Sequence, residues 1–278
     1  MEYESITKAR GINIVPEWQK FSEKLTRNER IILIGDIDSG KTTFCNFLKN
    51  KFKNTAIFDF DPGQQNLFLP STVSAKHKNK FMKFFIGRFS PRGAENLILL
   101  SLSIFTREMV RRRPNLMILD TSGYVGEDRA VFLKFAKCLI FNPTKVVIIR
   151  SEKSENLIYI DKIKNVISGY FQVFEIPSSQ YTRSITKEER EEIRRKRFQM
   201  YFSETDEIEI LKSENTKIIN LDFYPQSEGT ELIGFFKNKQ TDFLGLVVEE
   251  NENILKVKVP KHYKNWDFII RSGLRVKI

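Results

Sequence analysis

Short apolar runs alternate with amphipathic stretches along the first part of the chain. Apolar residues recur at helical spacing in residues 12–28, 44–48, 95–112 and 131–138. Between these segments lie runs with the length and apolar character of buried strands, at residues 30–34, 55–60, 116–119 and 145–149. Strands that alternate with helices predict a parallel sheet covered by helices on both faces. The sequence therefore predicts an α/β fold.

Two regions depart from this alternation. Residues 62–92 contain three prolines among basic and aromatic residues, so we expect them to be irregular. After residue 205 the apolar runs are short and rich in strand-forming residues, at residues 218–221, 232–236, 243–248 and 254–259. We therefore expect an N-terminal segment at 1–28 that packs on the core, an α/β domain at 29–204 and a small β-rich C-terminal domain at 205–278.

Composition and charge narrow the class of protein. The chain is 41% hydrophobic and 29% charged, as in soluble globular proteins, and no apolar run approaches the roughly 20 residues that span a bilayer. Its first residues lack a secretory pattern, and Cys45 and Cys138 form no metal or redox motif, so we expect a cytoplasmic protein with no membrane contact. The net charge of +11 favours a polyanionic partner, although a lysine-rich solubility surface explains it equally well.

A phosphate-binding pattern follows the first predicted strand. Residues 35–42 match G-x-x-x-x-G-K-[ST] and precede a predicted helix. Backbone N–H groups of such a loop wrap the phosphates, with Lys41 on the β- and γ-phosphates and the Thr42 hydroxyl on Mg²⁺. The predicted nucleotide-binding residues are Gly35, Asp38, Ser39, Gly40, Lys41, Thr42 and Thr43. The α/β domain is therefore expected to be of the P-loop NTPase type.

Carboxylates end two of the predicted strands. Asp59 and Asp61 lie two residues apart, so on a strand they point the same way, and Asp120 ends the strand at 116–119. A carboxylate at this edge can take a proton from an attacking hydroxyl or hold Mg²⁺ and its water. The structural alternative is that one of the two aspartates only caps the turn at Pro62 and Gly63. Asp120 is expected near Mg²⁺ or Thr42.

An arginine-rich helix is predicted at residues 186–200. Arg190, Arg194 and Arg197 fall at i, i+4 and i+7, so they share one face. Arginines on one face suit a lid that closes over a triphosphate and neutralises the charge of the transferring phosphoryl group. A solvated helix with Glu–Arg pairs is the alternative. We expect the lid to span about 183–202.

Together these motifs resemble the polyribonucleotide 5′-hydroxyl kinases, a family that includes the kinase subunit of the eukaryotic pre-mRNA cleavage complex and a kinase of ribosomal RNA processing. The matching segments, in the family's order, are residues 38–43, 59–64, 85–87 with 90–91, 120–124 and 183–202. The D-x-D-P-G-Q element at 59–64 is more specific than the P-loop.

The resemblance implies ATP and Mg²⁺ dependence, with the γ-phosphoryl passed to the 5′-hydroxyl of RNA and with DNA left open as a second acceptor. It implies Asp61 as general base and Gln64 as a substrate contact, and it suggests that Tyr124 stacks on a base where the family often has Trp. The catalytic set is then Lys41, Asp61, Arg190 and Arg194, the metal set Thr42, Asp59 and Asp120, and the substrate set Gln64, Tyr124, Arg88 and Arg183. As a further hypothesis, Lys76, Lys78, Lys80, Arg88 and Arg92 hold RNA phosphates at the active edge of the sheet.

Other functions stay open at the level of sequence. A regulatory GTPase is one, because residues 120–123 match D-x-x-G and residues 238–242 miss the guanine-reading N-K-x-D by one position. An ATP-binding RNA scaffold without turnover is another, and a small-molecule kinase is a third. The resemblance also leaves protein partners open, while the 28 or so residues before the P-loop strand are too few for the N-terminal β domain of eukaryotic members.

Overall fold

Thirteen strands and six helices make up the residues described by the computed structural model, which are 15–179, 184–213, 216–221 and 228–278. The first part contains α1 (Pro16–Glu23), β1 (Glu29–Ile34), α2 (Lys41–Lys51), β2 (Thr55–Phe60), β3 (Thr72–His77), β4 (Lys80–Phe85), α3 (Glu95–Val110), β5 (Leu116–Thr121), α4 (Asp128–Phe141), β6 (Lys145–Arg150), α5 (Leu157–Ser168), β7 (Val173–Pro177) and α6 (Lys187–Tyr201). The second part contains β8 (Thr205–Leu211), β9 (Ile218–Asn220), β10 (Thr230–Lys237), β11 (Gln240–Glu250), β12 (Ile254–Pro260) and β13 (Phe268–Val276).

The first seven strands form one sheet in the order β4-β3-β2-β5-β1-β6-β7. Strands β2, β5, β1, β6 and β7 are parallel, and the central β1 is flanked by β5 and β6. The hydrophobic residues of β1 alternate between two cores, with Ile32 and Ile34 in one and Ile31 and Leu33 in the other. The predicted α/β fold with a mostly parallel sheet is confirmed.

The prediction that residues 62–92 are irregular is wrong for residues 72–85. Strands β3 and β4 form an antiparallel hairpin there that pairs with β2 and extends the sheet. Val73, Ala75 and Phe84 are buried in the main core, because the apolar residues of the hairpin alternate with polar ones. The prolines that suggested irregularity lie before and after the hairpin rather than within it.

The hairpin also runs back along the sheet. Ile57 pairs with Lys76, so β3 travels from the carboxyl end of β2 towards its amino end. His77 contacts Asn54 at 2.8 Å, and Asn54 directly precedes β2. The tip of the hairpin at residues 78–79 therefore lies where the amino ends of the parallel strands meet, on the side of the sheet opposite the P-loop. We call this the far edge.

The last six strands form a second sheet in the order β8-β12-β11-β10-β13-β9. One of its faces adds Phe236 and Leu244 to the core of the first sheet, with the Phe84 and Phe236 rings 5.0 Å apart. The amide of Phe85 donates to Thr241 Oγ1 at 2.7 Å, which joins β4 to β11. The β-rich C-terminal region is thus packed against the α/β part through a continuous core, and a domain boundary at 204/205 stays a prediction.

The N-terminal helix packs beneath the P-loop helix. The Trp18 and Phe44 rings lie 5.0 Å apart, and Trp18 Nε1 donates to the carbonyl of Pro177 at 2.9 Å. Trp18, Phe21 and Leu25 of the predicted N-terminal segment belong to the same buried cluster as Phe44. Residues 1–14 lie outside the described part, and the bounds of the segment stay a prediction. In the described ranges, no helix has both the length and the apolar content needed to cross a bilayer.

Candidate active site

The loop between β1 and α2 has the conformation of a phosphate cradle. Gly40 (φ 90°) and Asp38 (φ 55°) adopt left-handed backbone, which turns the chain before α2. A Cβ at Gly35 would lie 2.6 Å from Ser39 Oγ and 2.7 Å from the carbonyl oxygen of Ile149, so only glycine fits there. The amides of the loop and the amino end of α2 form a natural site for phosphate groups.

Lys41 begins α2 and is almost completely buried. Its Nζ donates to the carbonyl of Asp36 at 2.5 Å and to Ser39 Oγ at 3.3 Å. Burial lowers the pKa of Lys41, and the charges of Asp120 and Asp61 oppose this shift. The ammonium group therefore lies between the P-loop and the carboxylates that end β2 and β5.

Thr42 and Asp120 face each other across the P-loop. Thr42 Oγ1 donates to Asp120 Oδ2 at 2.7 Å, while Asp120 Oδ1 is buried and has no hydrogen-bond partner among the described residues. Burial raises the pKa of Asp120 to about 6, against the lowering effects of Lys41 and Thr42. These two hard oxygen ligands and the unpartnered Oδ1 fit Mg²⁺, which usually takes one or two carboxylates and completes its shell with phosphate and water.

Asp59 lies deeper than Asp120. Its carboxylate accepts the amides of Asn66 at 2.6 Å and Asp61 at 3.3 Å, and it borders the same small cavity as Thr42 and Asp120. Burial, followed by the charge of Asp120, raises the pKa of Asp59 to about 8. Both carboxylate oxygens of Asp59 already accept a backbone amide, whereas Asp120 Oδ1 has no partner among the described residues. This difference favours Thr42 and Asp120 over Asp59 for Mg²⁺, and metal binding by Asp59 stays a prediction.

Asp61 follows β2 at the carboxyl edge of the sheet. Its Oδ1 accepts the amides of Gly63 at 2.9 Å and Gln64 at 3.1 Å, so the carboxylate caps the turn. The structure places no hydrogen bond on Oδ2 within its described residues. One oxygen can therefore hold the turn while the other remains available to a substrate, and the two roles weighed for this residue are compatible.

The two glutamines after Asp61 differ in environment. Gln64 is half-buried in the turn. Gln65 is fully buried: its Nε2 donates to the carbonyls of Asp59 and Thr72, and its Oε1 accepts from Leu67 N and Ser74 Oγ. Sequence reasoning missed Gln65, because a glutamine is usually exposed and nothing in its local pattern marks it as buried. It holds the D-x-D-P-G-Q segment against β3.

The arginine helix docks on the P-loop. Thr186 and Glu189 form a reciprocal capping box at the start of α6, as expected for a helix that begins there. Arg190 Nη2 lies 2.9 Å from Asp38 Oδ2, which also accepts the amide of Ile185 at 3.2 Å. Asp38 therefore ties the amino end of α6 to the loop that cradles phosphate.

Two further contacts position the same helix. The Arg194 guanidinium lies 4.8 Å from the centroid of the Phe89 ring, and burial lowers its pKa while the charge of Asp61 partly opposes this. Phe198, one turn later, is buried against Phe89 and anchors the helix. Arg190 and Arg194 thus lie at the P-loop and near Asp61, whereas Arg183 falls outside the described residues.

Tyr124 and the nearby arginines occupy the same edge of the sheet. The Tyr124 hydroxyl donates to Glu127, which also pairs with Arg92 at 3.3 Å. Arg88 Nη1 donates weakly to the carbonyl of Arg92 at 3.4 Å. These contacts link Tyr124 to Arg88 through Glu127 and Arg92, and Gly123, the residue before Tyr124, lies against Ile37 of the P-loop. Substrate binding by Tyr124 and Arg88 stays a prediction.

The placement of Lys76, Lys78 and Lys80 at the active edge is wrong. These residues belong to the hairpin of β3 and β4, whose tip lies at the far edge because β3 runs antiparallel to β2. The near match to N-K-x-D is also at the far edge. Asn238 and Lys239 have positive φ values of 51° and 68° and form the turn between β10 and β11, beside Lys80 rather than beside the P-loop. This geometry removes the guanine-reading argument for a GTPase.

Comparison with known proteins agrees with this geometry. Residues 35–204, more than half of the chain, match the family described as mRNA cleavage and polyadenylation factor CLP1 P-loop. The chain belongs to this family.

The relatives of this CLP1 P-loop chain include curated kinases of archaea. It is 27% identical to a polyribonucleotide 5′-hydroxyl-kinase of Methanocaldococcus jannaschii, over 70% of this chain and 53% of that one. It is 28% identical to the enzyme of the same name from Pyrococcus furiosus, over 77% of this chain and 60% of that one. The chain therefore spans between half and three fifths of the length of these relatives.

A solved structure supports the fold of this CLP1 P-loop chain. The Clp1p–Pcf11p complex superposes with a TM-score of 0.70 and 16% identity, over 93% of this chain and 77% of that chain. The similarity covers both sheets, which shows that the β-rich C-terminal region belongs to the shared architecture.

Two buried lysines of the CLP1 P-loop core were missed by sequence reasoning. Lys134 donates to Thr121 Oγ1 at 2.9 Å and to the carbonyl of Ser122 at 2.6 Å. Lys137 Nζ has no hydrogen-bond partner among the described residues and lies 5.9 Å from the centroid of the Phe60 ring. Burial lowers the pKa of Lys137 to about 8, and Asp61 and Asp120 partly oppose this. The available signal was their i, i+3 spacing on the apolar face of α4.

Proposed function

We propose that this chain is an ATP- and Mg²⁺-dependent polynucleotide kinase that transfers the γ-phosphoryl group to the 5′-hydroxyl end of RNA. The observation that carries the proposal is the meeting of a P-loop, the Thr42–Asp120 pair, Asp61 and the lid arginines at one edge of the sheet. The names of the curated archaeal relatives support the same reaction. DNA is retained as a second acceptor to be tested.

The proposed transfer joins the 5′-oxygen to the γ-phosphorus and breaks the bond from that phosphorus to the β–γ bridging oxygen, which leaves with ADP. Asp61 Oδ2 accepts the proton of the 5′-hydroxyl, while Oδ1 keeps the turn capped. Lys41 binds the β- and γ-phosphates, and Arg190 and Arg194 stabilise the charge on the transferring group. Mg²⁺ bound by Thr42 and Asp120 would neutralise charge on the β- and γ-phosphate oxygens.

Binding of the acceptor end is assigned to the surface beside the lid. Tyr124 offers a ring on which the terminal base can stack, and Arg88 and Gln64 lie at the same edge as Asp61. Arg183, just before the lid helix, is retained as a candidate contact. Base stacking tolerates any base, which suits an enzyme that recognises an end rather than a sequence.

The first test is transfer of labelled γ-phosphate from ATP to a short RNA with a 5′-hydroxyl end. The same RNA with a 5′-phosphate and a DNA of matched sequence serve as controls. We expect transfer to 5′-hydroxyl ends only, and dependence on Mg²⁺. ATP binding by the folded protein without transfer would favour an RNA-binding scaffold, whereas hydrolysis of GTP without an acceptor would favour a GTPase.

The second test separates the base from the nucleotide site. Asp61→Asn keeps an oxygen to accept the Gly63 and Gln64 amides but removes the base, so we expect transfer to fall by a factor of 10² to 10⁴, on the order expected for loss of general base catalysis, with ATP affinity retained. Lys41→Ala is expected to lose ATP binding as well. Asp128→Asn, an exposed carboxylate at the start of α4, is the matched control. Near-normal transfer by a folded Asp61→Asn protein would remove the assignment of the base.

A further inference from the structure

A cavity of about 270 Å³ opens at the far edge, where the β3–β4 hairpin, the end of α3 and the β10–β11 turn meet. Its charged lining residues are Lys80, Arg107, Glu108, Arg111 and Lys239, so four cations share it with one acid. We call the four cations the distal basic site. Met82 and Ile104 supply the apolar wall, and no aromatic ring from the described part of the chain lines the cavity.

The charges of the distal basic site are poorly compensated. Glu108 is shared between Arg111 at 3.8 Å and Arg112 at 3.4 Å. Lys80, Arg107 and Lys239 make no ion pair with any residue in the described ranges. Positive charges held together at a protein surface raise the local concentration of anions, so this arrangement indicates an anionic ligand.

The distal basic site is separate from the nucleotide site. Strand β2 runs between the two edges of the sheet, and its five steps of about 3.3 Å place these edges roughly 17 Å apart. A single nucleotide at the P-loop therefore does not reach the far edge. A polymer of several nucleotides is long enough to contact both.

Helix α3 provides a path between the edges. It begins three residues after Arg92, at the active edge, and ends beside Arg111, about 24 Å away for 16 residues at 1.5 Å each. The exposed positions Asn96, Leu100, Ser103 and Arg107 line its outer face and include no acid. The one acid where this face reaches the cavity, Glu108, is paired with Arg111 and Arg112, so a polyanion that follows the face meets no unpaired carboxylate there.

We propose that the distal basic site binds backbone phosphates of an RNA whose 5′ end occupies the P-loop edge, with the strand running along α3. This inference rests on the proposed kinase function. Lysines and arginines without an aromatic platform bind phosphates irrespective of base. The affinity that this site contributes therefore depends on the length of the RNA and not on its sequence. The acceptor preferred by this chain is then an RNA long enough to reach the far edge.

The test compares a trinucleotide with a 25-nucleotide RNA, both with 5′-hydroxyl ends. The variant is Arg107→Glu/Lys239→Glu, which reverses two exposed cations that make no ion pair with the described residues. We expect KM for the 25-nucleotide RNA to rise about tenfold and the slope of log affinity against log salt to fall by about 1.4, since each phosphate contact on a single strand contributes about 0.7. Transfer to the trinucleotide is expected to stay unchanged.

The matched control is Lys20→Glu/Lys264→Glu, which changes the net charge equally at exposed positions on α1 and between β12 and β13. Equal losses in both double variants would indicate a general charge effect and overturn the proposal. An equal loss of transfer to the trinucleotide and to the 25-nucleotide RNA would also overturn the proposal, because it would show that Arg107 and Lys239 act at the active site.

Direct binding keeps the two proposals distinguishable. Fluorescence anisotropy with a 5′-phosphorylated 25-nucleotide RNA measures binding and requires no transfer. An inactive wild-type protein would refute the proposed kinase activity, and the anisotropy would still decide whether the distal basic site binds RNA. We expect the Arg107→Glu/Lys239→Glu variant to bind this RNA about tenfold more weakly than the control variant. Unchanged RNA binding with loss of polyglutamate binding would assign the cavity to an acidic protein segment and refute the RNA proposal.

Discussion

The buried ammonium group of Lys137 offers a sharp test of the electrostatics beneath the active edge. Its Nζ is inaccessible and has no hydrogen-bond partner among the described residues, while Lys134, one turn earlier, donates to Thr121 and Ser122. Lys137→Met replaces the side chain by an apolar one of similar length. We expect this substitution to stabilise the protein at neutral pH.

The magnitude follows from the pKa of Lys137, which burial lowers from 10.5 to about 8. Below pH 8 both the folded and the unfolded chain carry the proton, and the folded state bears the full cost of the buried charge. Between pH 8 and 10.5 the folded state releases its proton first, so the unfolded state binds more protons and stability rises with pH. The cost is about 3 kcal/mol at pH 7 and about 1 kcal/mol at pH 9.5.

The measurement is urea unfolding of wild type and Lys137→Met at pH 7 and pH 9.5, without nucleotide. The packing change from Lys to Met is the same at both pH values, so the pH dependence of the difference isolates the charge. We expect the advantage of the variant to shrink by about 2 kcal/mol between the two. Lys20→Met, at an exposed site on α1, is the control. A difference that stays constant with pH would refute the assignment of a costly buried ammonium at Lys137.

Three further predictions concern other parts of the fold. Asp38→Ala removes the partner of Arg190 and should increase amide hydrogen exchange in the first turn of α6, with a change in global stability of about 1 kcal/mol or less because the pair is partly exposed. Unchanged exchange there would show that Asp38 does not hold the amino end of α6. Gln65→Leu should lower the free energy of unfolding by about 2–4 kcal/mol in urea, because it strands several buried backbone and hydroxyl groups; a cost below 0.5 kcal/mol would contradict the bonding described. Hydrogen bonding to Arg271 lowers the pKa of Glu250 to about 2, so the stability that this pair contributes is present above about pH 4.5 and is lost as the pH falls towards 2. Glu250→Gln should remove about 1 kcal/mol of this acid-dependent stability in a pH series of thermal melts. An unchanged acid midpoint would argue against the pair.

Local pattern predicted the elements whose surroundings in the structure are formed by residues close to them in the sequence. The P-loop lies between an apolar strand and an amphipathic helix, and its glycines are required by backbone geometry within a few residues. Asp120 could be placed near Thr42 because Asp120 lies at the carboxyl end of β5 and the loop before Thr42 follows the adjacent parallel strand β1, so both are at the same edge of the sheet. The capping box at Thr186 and Glu189 is likewise a local signal. The roles of these residues in transfer remain predictions.

Residues 62–92 show where local pattern failed. The hairpin of β3 and β4 is stabilised by pairing with β2 and by packing against α3 and β11, all of which depend on distant parts of the chain. The same long-range pairing carries Lys76, Lys78 and Lys80 away from the active edge. Proline content suggested a loop, but the prolines bound the hairpin and do not interrupt its ladder.

By itself the sequence determined the α/β class, the phosphate-binding loop, the carboxylates that end two strands and the arginine face of α6, because each depends on residues a few positions apart. Tertiary structure alone decided which cations meet. It buried Lys134 and Lys137 beneath the active edge, joined Arg190 to Asp38, and gathered Lys80, Arg107, Arg111 and Lys239 at the far edge. The physical reason is that charge interactions depend on distance in space, and antiparallel return of a single hairpin is enough to move a basic segment from one edge of a sheet to the other.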